Sequence, residues 1–95
     1  MEVGVIKLPE DFIGKGEVKG FLFHQLKRGN NAFLYEVITD GRSHYEVFKF
    51  RVVFSPKTKI PYEGYPKANS FGNWAWTYNQ LERALEKFNK IENHE

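Results

Sequence analysis

Three side chains of the type most used for proton transfer and metal ligation occur in this sequence: His24, His44 and His94. His44 and Glu46 stand two apart, which puts both on one face of a strand, and His24 can approach from a neighbouring strand to complete a divalent-metal site. Lone histidines on strands more often have their nitrogens satisfied at an edge or in a core, so no metal is expected. A Ser-His-Asp site is weaker still. Ser43, Ser55 and Ser70 all fall in turns without a nucleophile elbow, and Asp11 and Asp40 are turn residues as well. Gly14-Lys15-Gly16 and Gly72-Asn73 lack the spacing and helix context that cradle a phosphate. With no cysteine, thiolate catalysis, disulfides and iron–sulfur clusters are excluded together. The sequence therefore predicts a protein that is not an enzyme and needs no cofactor.

Charge and aromatic rings give a different chemistry. The chain has 95 residues and a net charge of +2, but the charge is uneven. Residues 15 to 67 carry ten Lys or Arg against five acids, while both ends are acidic on balance. A basic middle attracts polyanions. Within it Lys57, Lys59 and Lys67 interleave with Tyr62 and Tyr65, and Lys49 and Arg51 follow Tyr45 along one stretch. Rings that stack on bases beside cations that meet phosphates make a nucleic-acid platform, each stacked base contributing about 1–3 kcal/mol. The Trp74-Ala75-Trp76 run puts two rings on one strand face, where core packing is the commoner use.

These residues need elements to hold them. With 41% apolar and 17% aromatic positions, the chain is one globular domain spanning 1–95. Val3 to Lys7 reads as a short strand, followed by a turn at Pro9-Glu10-Asp11. Glu17 to Lys27, Ala32 to Thr39 and His44 to Phe54 read as longer strands, joined at Arg28-Gly29-Asn30-Asn31 and Asp40-Gly41-Arg42-Ser43. Residues 55–69 hold three prolines and a glycine and read as a long loop. A short strand or turn follows over 70–76, then a helix over 77–92. Thr77 and Gln80 fit a capping box, Trp76 and Leu81 a hydrophobic staple, and Leu81, Ala84, Leu85, Phe88 and Ile91 one apolar stripe. The class is α+β: an antiparallel meander of three to five strands with one C-terminal helix packed on one face.

A turn centred on Gly41 and Arg42 puts Phe33, Tyr35 and Val37 on one face with Phe50, Phe48 and Glu46, the natural seat for the helix. The other face carries Leu34, Glu36, Ile38, Tyr45, Val47, Lys49 and Arg51, too apolar for a solvated sheet. Three occupants compete for it: the N-terminal segment or the 55–69 loop, a second copy of the chain, or nucleic acid.

Asn31-Ala32-Phe33-Leu34-Tyr35-Glu36-Val37, a turn, His44-Tyr45-Glu46-Val47-Phe48, a loop, and the helix Glu82-Arg83-Ala84-Leu85-Glu86-Lys87-Phe88 together resemble the layout of a WGR-type domain. The likeness covers about residues 31–91 and implies nucleic-acid binding. The Trp-Gly-Arg triplet that names the family belongs after the third strand, where this chain has Lys49-Phe50-Arg51-Val52-Val53-Phe54. The resemblance thus assigns no functional residue.

The residues themselves predict a non-enzymatic nucleic-acid-binding module of little sequence specificity. Lys49, Arg51, Lys57, Lys59 and Lys67 would lie on phosphates, with Tyr45, Tyr62 and Tyr65 stacking. The alternative is a protein-interaction or homodimerisation module using the second sheet face. No apolar run is long enough to span a membrane, and Met1-Glu2-Val3-Gly4-Val5 has no secretory pattern, so the expected location is cytoplasmic.

Overall fold

Ala32 to Thr39 alternates poorly between apolar and polar, and the reason is that both of its faces are buried. The computed structural model describes residues 5–14, 16, 19–54, 56–57 and 59–94. Among these, strands β1 (Asp11–Ile13), β2 (Leu22–Arg28), β3 (Ala32–Thr39), β4 (Arg42–Lys49) and β7 (Ala75–Tyr78) form one antiparallel sheet in the order β1-β2-β3-β4-β7. Strands β5 (Val52–Phe54) and β6 (Pro61–Glu63) form a separate ribbon, and helix α1 (Leu81–His94) packs on the main sheet. The predicted α+β class holds. The N-terminal strand expected from Val3 lies partly outside the described residues, and Ile6 makes only an isolated parallel bridge to Tyr62.

The β3–β4 register differs from the sequence reading. Thr39 pairs with Arg42, so Asp40 and Gly41 form the turn, with φ of 51° and 76°. A two-residue hairpin of this hand needs positive φ at both positions, which an Asp-Gly pair supplies more readily than Gly-Arg. Phe33 consequently faces Phe48, and Tyr35 faces Glu46.

The helix lies on the opposite face from the one expected. Ala84, Phe88 and Ile91 bury against Ala32, Leu34 and Val47, with Tyr45, Trp76 and Tyr78 around them. Ala32, Val47 and Ala84 are small enough to let the helix backbone approach, whereas the face of Phe33, Tyr35 and Phe48 is filled with rings. Extended segments cover that ringed face instead, bringing Leu8, Phe12, Phe21, Phe50, Tyr65, Phe71 and Trp74 onto it. Phe12 stacks on Phe23 at 4.5 Å, and Tyr65 stands edge-on to Phe23 at 5.0 Å. Both faces of the central strands are thereby closed.

Three further local readings change. Thr77 pairs with Glu46 inside β7, so it cannot cap a helix that begins at Leu81. Trp74 precedes β7 rather than lying in it, so the two tryptophans part: Trp74 joins the ringed core and Trp76 the helix core. Residues 55–69 are not all loop, because β6 pairs with β5, with Pro61 at the strand's first position where a missing N–H is tolerated.

Candidate functional site

A β-bulge decides where the ribbon sits. Between Gln25 and Lys27 the β2–β3 register shifts, so that Lys27 faces Leu34 on the helix side and Arg28 faces Phe33 on the ringed side. Without the extra residue Arg28 would point at the helix layer. With it, the guanidinium lies 5.1 Å over the Phe33 ring and forks onto both carboxylate oxygens of Glu63 in β6, one of them at 2.8 Å. Glu63 also accepts the Leu8 N–H at 2.8 Å and is buried. The Arg28 hydrogen bonds, and then that N–H, hold the Glu63 carboxyl below the usual carboxylate range despite burial.

The ribbon rooted on this pair is unlike the rest of the molecule. At Phe50 the chain leaves β4, its N–H donating to Asn31 O at 2.7 Å and its ring stacking on Phe33 at 5.7 Å. Val53 then pairs with Tyr62, and Ile6 lies on the other side of Tyr62, with Ile6 N–H donating to Pro61 O at 3.0 Å and Glu63 N–H to Ile6 O at 2.9 Å. Phe54 is 60% exposed, Ile6 56%, and Val5, Val52, Val53 and Tyr62 are exposed too. Arg51, Lys57 and Lys59 are exposed along the ribbon and its turn. The Arg51 guanidinium stacks 4.7 Å over Trp74, and Lys59 holds a left-handed conformation with φ of 60°.

The sequence-predicted site residues divide. The ribbon unites Arg51, Lys57, Lys59 and Tyr62. Tyr45 is half-buried in the helix core opposite Tyr78, and Tyr65 is packed in the ringed core with its hydroxyl donating to Glu46. Neither presents a ring to a base. Burial, followed by the Glu46 charge, pushes the Tyr65 phenol far above its ordinary value. Lys49 is half-buried in β4 opposite Ala32, and Lys67 is exposed beyond the largely buried stretch Gly64–Pro66. The sheet-face platform expected from Tyr45, Lys49 and Arg51 therefore does not form: Tyr45 packs in the helix core, Lys49 is half-buried at the end of β4, and Arg51 has left the sheet for the ribbon.

Sequence reasoning missed Phe54, Val52, Val53 and Ile6 as surface residues. The available signal was a strand run that continues past Arg51 into three consecutive apolar residues with no alternation. The metal arrangement also dissolves. His44 lies 3.1 Å from Glu46 on the ringed side, while His24 lies 2.5 Å from Asp11 on the helix side. Among the described residues no group of three or more His, Asp or Glu can hold a metal ion. Nor is any described helix long and apolar enough to cross a membrane.

Comparison with protein-family models, with curated proteins and with solved structures gives no match.

Proposed function

We propose that this chain is a small binding module that takes single-stranded nucleic acid along the β5–β6 ribbon, with little sequence preference. The observation that carries the reading is the exposure of Phe54 and Tyr62 on the same two-stranded ribbon as Arg51, Lys57 and Lys59. Rings that every base can stack on, with cations beside the strands and in the turn that joins them, supply affinity without base-edge readout. A duplex hides its base faces, so single strands are preferred.

The test is fluorescence anisotropy of labelled single- and double-stranded oligonucleotides across a salt series. Micromolar binding to single strands is expected, with log affinity falling linearly against log salt. Replacing Lys57 and Lys59 together by Ala lowers the slope by about 0.7 for each phosphate that is no longer neutralised. An unchanged slope removes the ribbon from the site, and no binding at low salt overturns the reading.

A protein partner is the second reading, favoured by the aliphatic Val52, Val53 and Ile6, which offer nothing to a base. In that case the ribbon's cations serve steering rather than phosphate binding.

A further inference from the structure

One α-helix is about 10 Å wide, and five strands spaced about 4.8 Å apart span about 19 Å, so a single helix cannot cover this sheet. Helix α1 lies over β3, β4 and β7. What it leaves open, on its own side of the sheet, is the outer end of β1 and β2. There Ile13 pairs with Leu22 and Leu22 with Ile38, giving a groove of about 550 Å³ that also takes in Asp11, His24 and Glu36. Ile13 is 62% exposed and Leu22 47%. The charged groups that act on His24, in the middle of this groove, are all carboxylates: Asp11, Glu36 and Glu10.

Among the described residues the molecule thus carries two exposed apolar surfaces of opposite charge. The groove is Ile13, Leu22 and Ile38 beside Asp11, His24 and Glu36, and the ribbon exposes Val53 and Tyr62 on one face and Phe54 on the other, with Arg51, Lys57 and Lys59 exposed along it. They cannot meet within one chain. The ribbon is anchored on the ringed side at Arg28, and the groove lies on the helix side at Leu22, six strand positions or about 20 Å away. We infer that the acidic groove receives the basic ribbon of a second copy of this chain, head to tail. Because the two patches differ, the association does not close on itself in a pair unless a rotation happens to close a ring, so it extends into short oligomers. It is independent of the nucleic-acid reading, although a strand bound on the ribbon competes with it.

Sedimentation velocity on the full chain, over rising concentration at low and high salt, tests this. Weight-average size is expected to grow with concentration past the dimer and to fall back as salt screens the charges. Two charge-reversed variants sharpen the test: Asp11→Lys with Glu36→Lys in the groove, and Lys57→Glu with Lys59→Glu on the ribbon. Each alone weakens association by at least about tenfold. Mixed together they form a one-to-one complex, because the basic groove of one takes the acidic ribbon of the other. A chain that stays monomeric at low salt, or two variants that ignore each other when mixed, overturns the inference. Ile13→Ser abolishes self-association and leaves oligonucleotide anisotropy unchanged in dilute protein, so failure of this inference and failure of the nucleic-acid reading are seen separately.

Discussion

The carboxylate of Glu92, in the last turn of α1, occupies the space where a Cβ on Gly29 would stand. It is held there by the β2–β3 turn, accepting the Asn30 N–H at 2.9 Å and the Asn31 N–H at 2.7 Å. An acid near a helix C-terminus opposes the helix dipole, but two backbone donors more than offset that here. The pairing fixes the far end of the helix to the hairpin that starts β3, which makes it a long-range clasp between residues over 60 positions apart.

Glu92→Ala is therefore expected to cost about 1–2 kcal/mol in urea unfolding, since two charge-assisted hydrogen bonds are removed at a partly exposed site. Gly29→Ala costs a similar amount by displacing the carboxylate. The double variant is the informative one. If Gly29 is needed only to make room for Glu92, then Gly29→Ala adds little once Glu92 is already Ala, and the two effects fail to add. Full additivity would mean that Gly29 serves the turn backbone instead.

The Arg28–Glu63 pair sets the acid limb of stability. Glu63 has a carboxyl pKa lowered by Arg28 and by the Leu8 N–H, so its contribution is complete above the ordinary carboxylate value of about 4.3 and is lost as pH falls through the lower folded value. Arg28→Ala leaves a buried carboxylate with one backbone donor, at a cost of about 3 kcal/mol at neutral pH. It should also flatten the fall in stability on acidification, because Glu63 then no longer prefers to stay ionised. Thermal melts from neutral to acidic pH check both statements, and an acid limb as steep as the parent's would place the titration elsewhere.

Parts of this architecture are legible in the residues alone. The stripe Ala84, Leu85, Phe88 and Ile91 shows a helix because its period is local. Asp40-Gly41 shows a hairpin because the turn chemistry is local too, although choosing between a centre on Asp40 and one on Gly41 requires the positive φ of both turn positions to be weighed. Which face the helix takes is not legible, since Leu34 and Phe33 are equally apolar and only the bulk of the neighbours across the sheet decides. The bulge at Leu26 has no sequence mark, yet it sends Arg28 to Glu63 and so roots the ribbon. The candidate site is half legible: Arg51, Lys57, Lys59 and Tyr62 can be read as basic and aromatic. Tyr65 cannot be told from them, because its burial depends on Phe12, Phe23 and Phe48 arriving from three other strands.

His24 gives a titration that reports on the open groove. Its hydrogen bond to Asp11 raises the imidazole pKa, helped by the Asp11 charge and those of Glu36 and Glu10. The stabilising effect is complete below about pH 6.5 and fades as pH rises through the higher folded value. It is small because both partners are exposed. By NMR of the histidine ring, His24 is expected to titrate above an unperturbed histidine, and Asp11→Asn to bring the midpoint down. Glu36→Gln lowers it less. A midpoint that does not move in Asp11→Asn would show that the pair is not formed in solution.

The alkaline limb belongs chiefly to the phenols of Tyr35 and Tyr65, with Tyr78 also raised by burial. Tyr35 is buried between Gln25, which donates to its oxygen at 2.9 Å, and Pro9 O, to which it donates at 2.7 Å. Burial pushes its pKa up to about 12, and Tyr65 beside Glu46 is pushed higher. A phenol whose folded pKa is raised holds its proton more tightly in the native state, so stability falls as pH climbs from about 10, where the unfolded chain ionises. Absorbance titration should show Tyr35 and Tyr65 ionising only together with loss of structure. Tyr65→Phe removes the hydroxyl from a buried carboxylate and should cost about 2 kcal/mol near neutral pH, while making the remaining stability less sensitive to alkali. If every tyrosine ionised reversibly near the ordinary value with the fold intact, the rings of Tyr35 and Tyr65 would have to be open to water, and the closed face of the sheet with them.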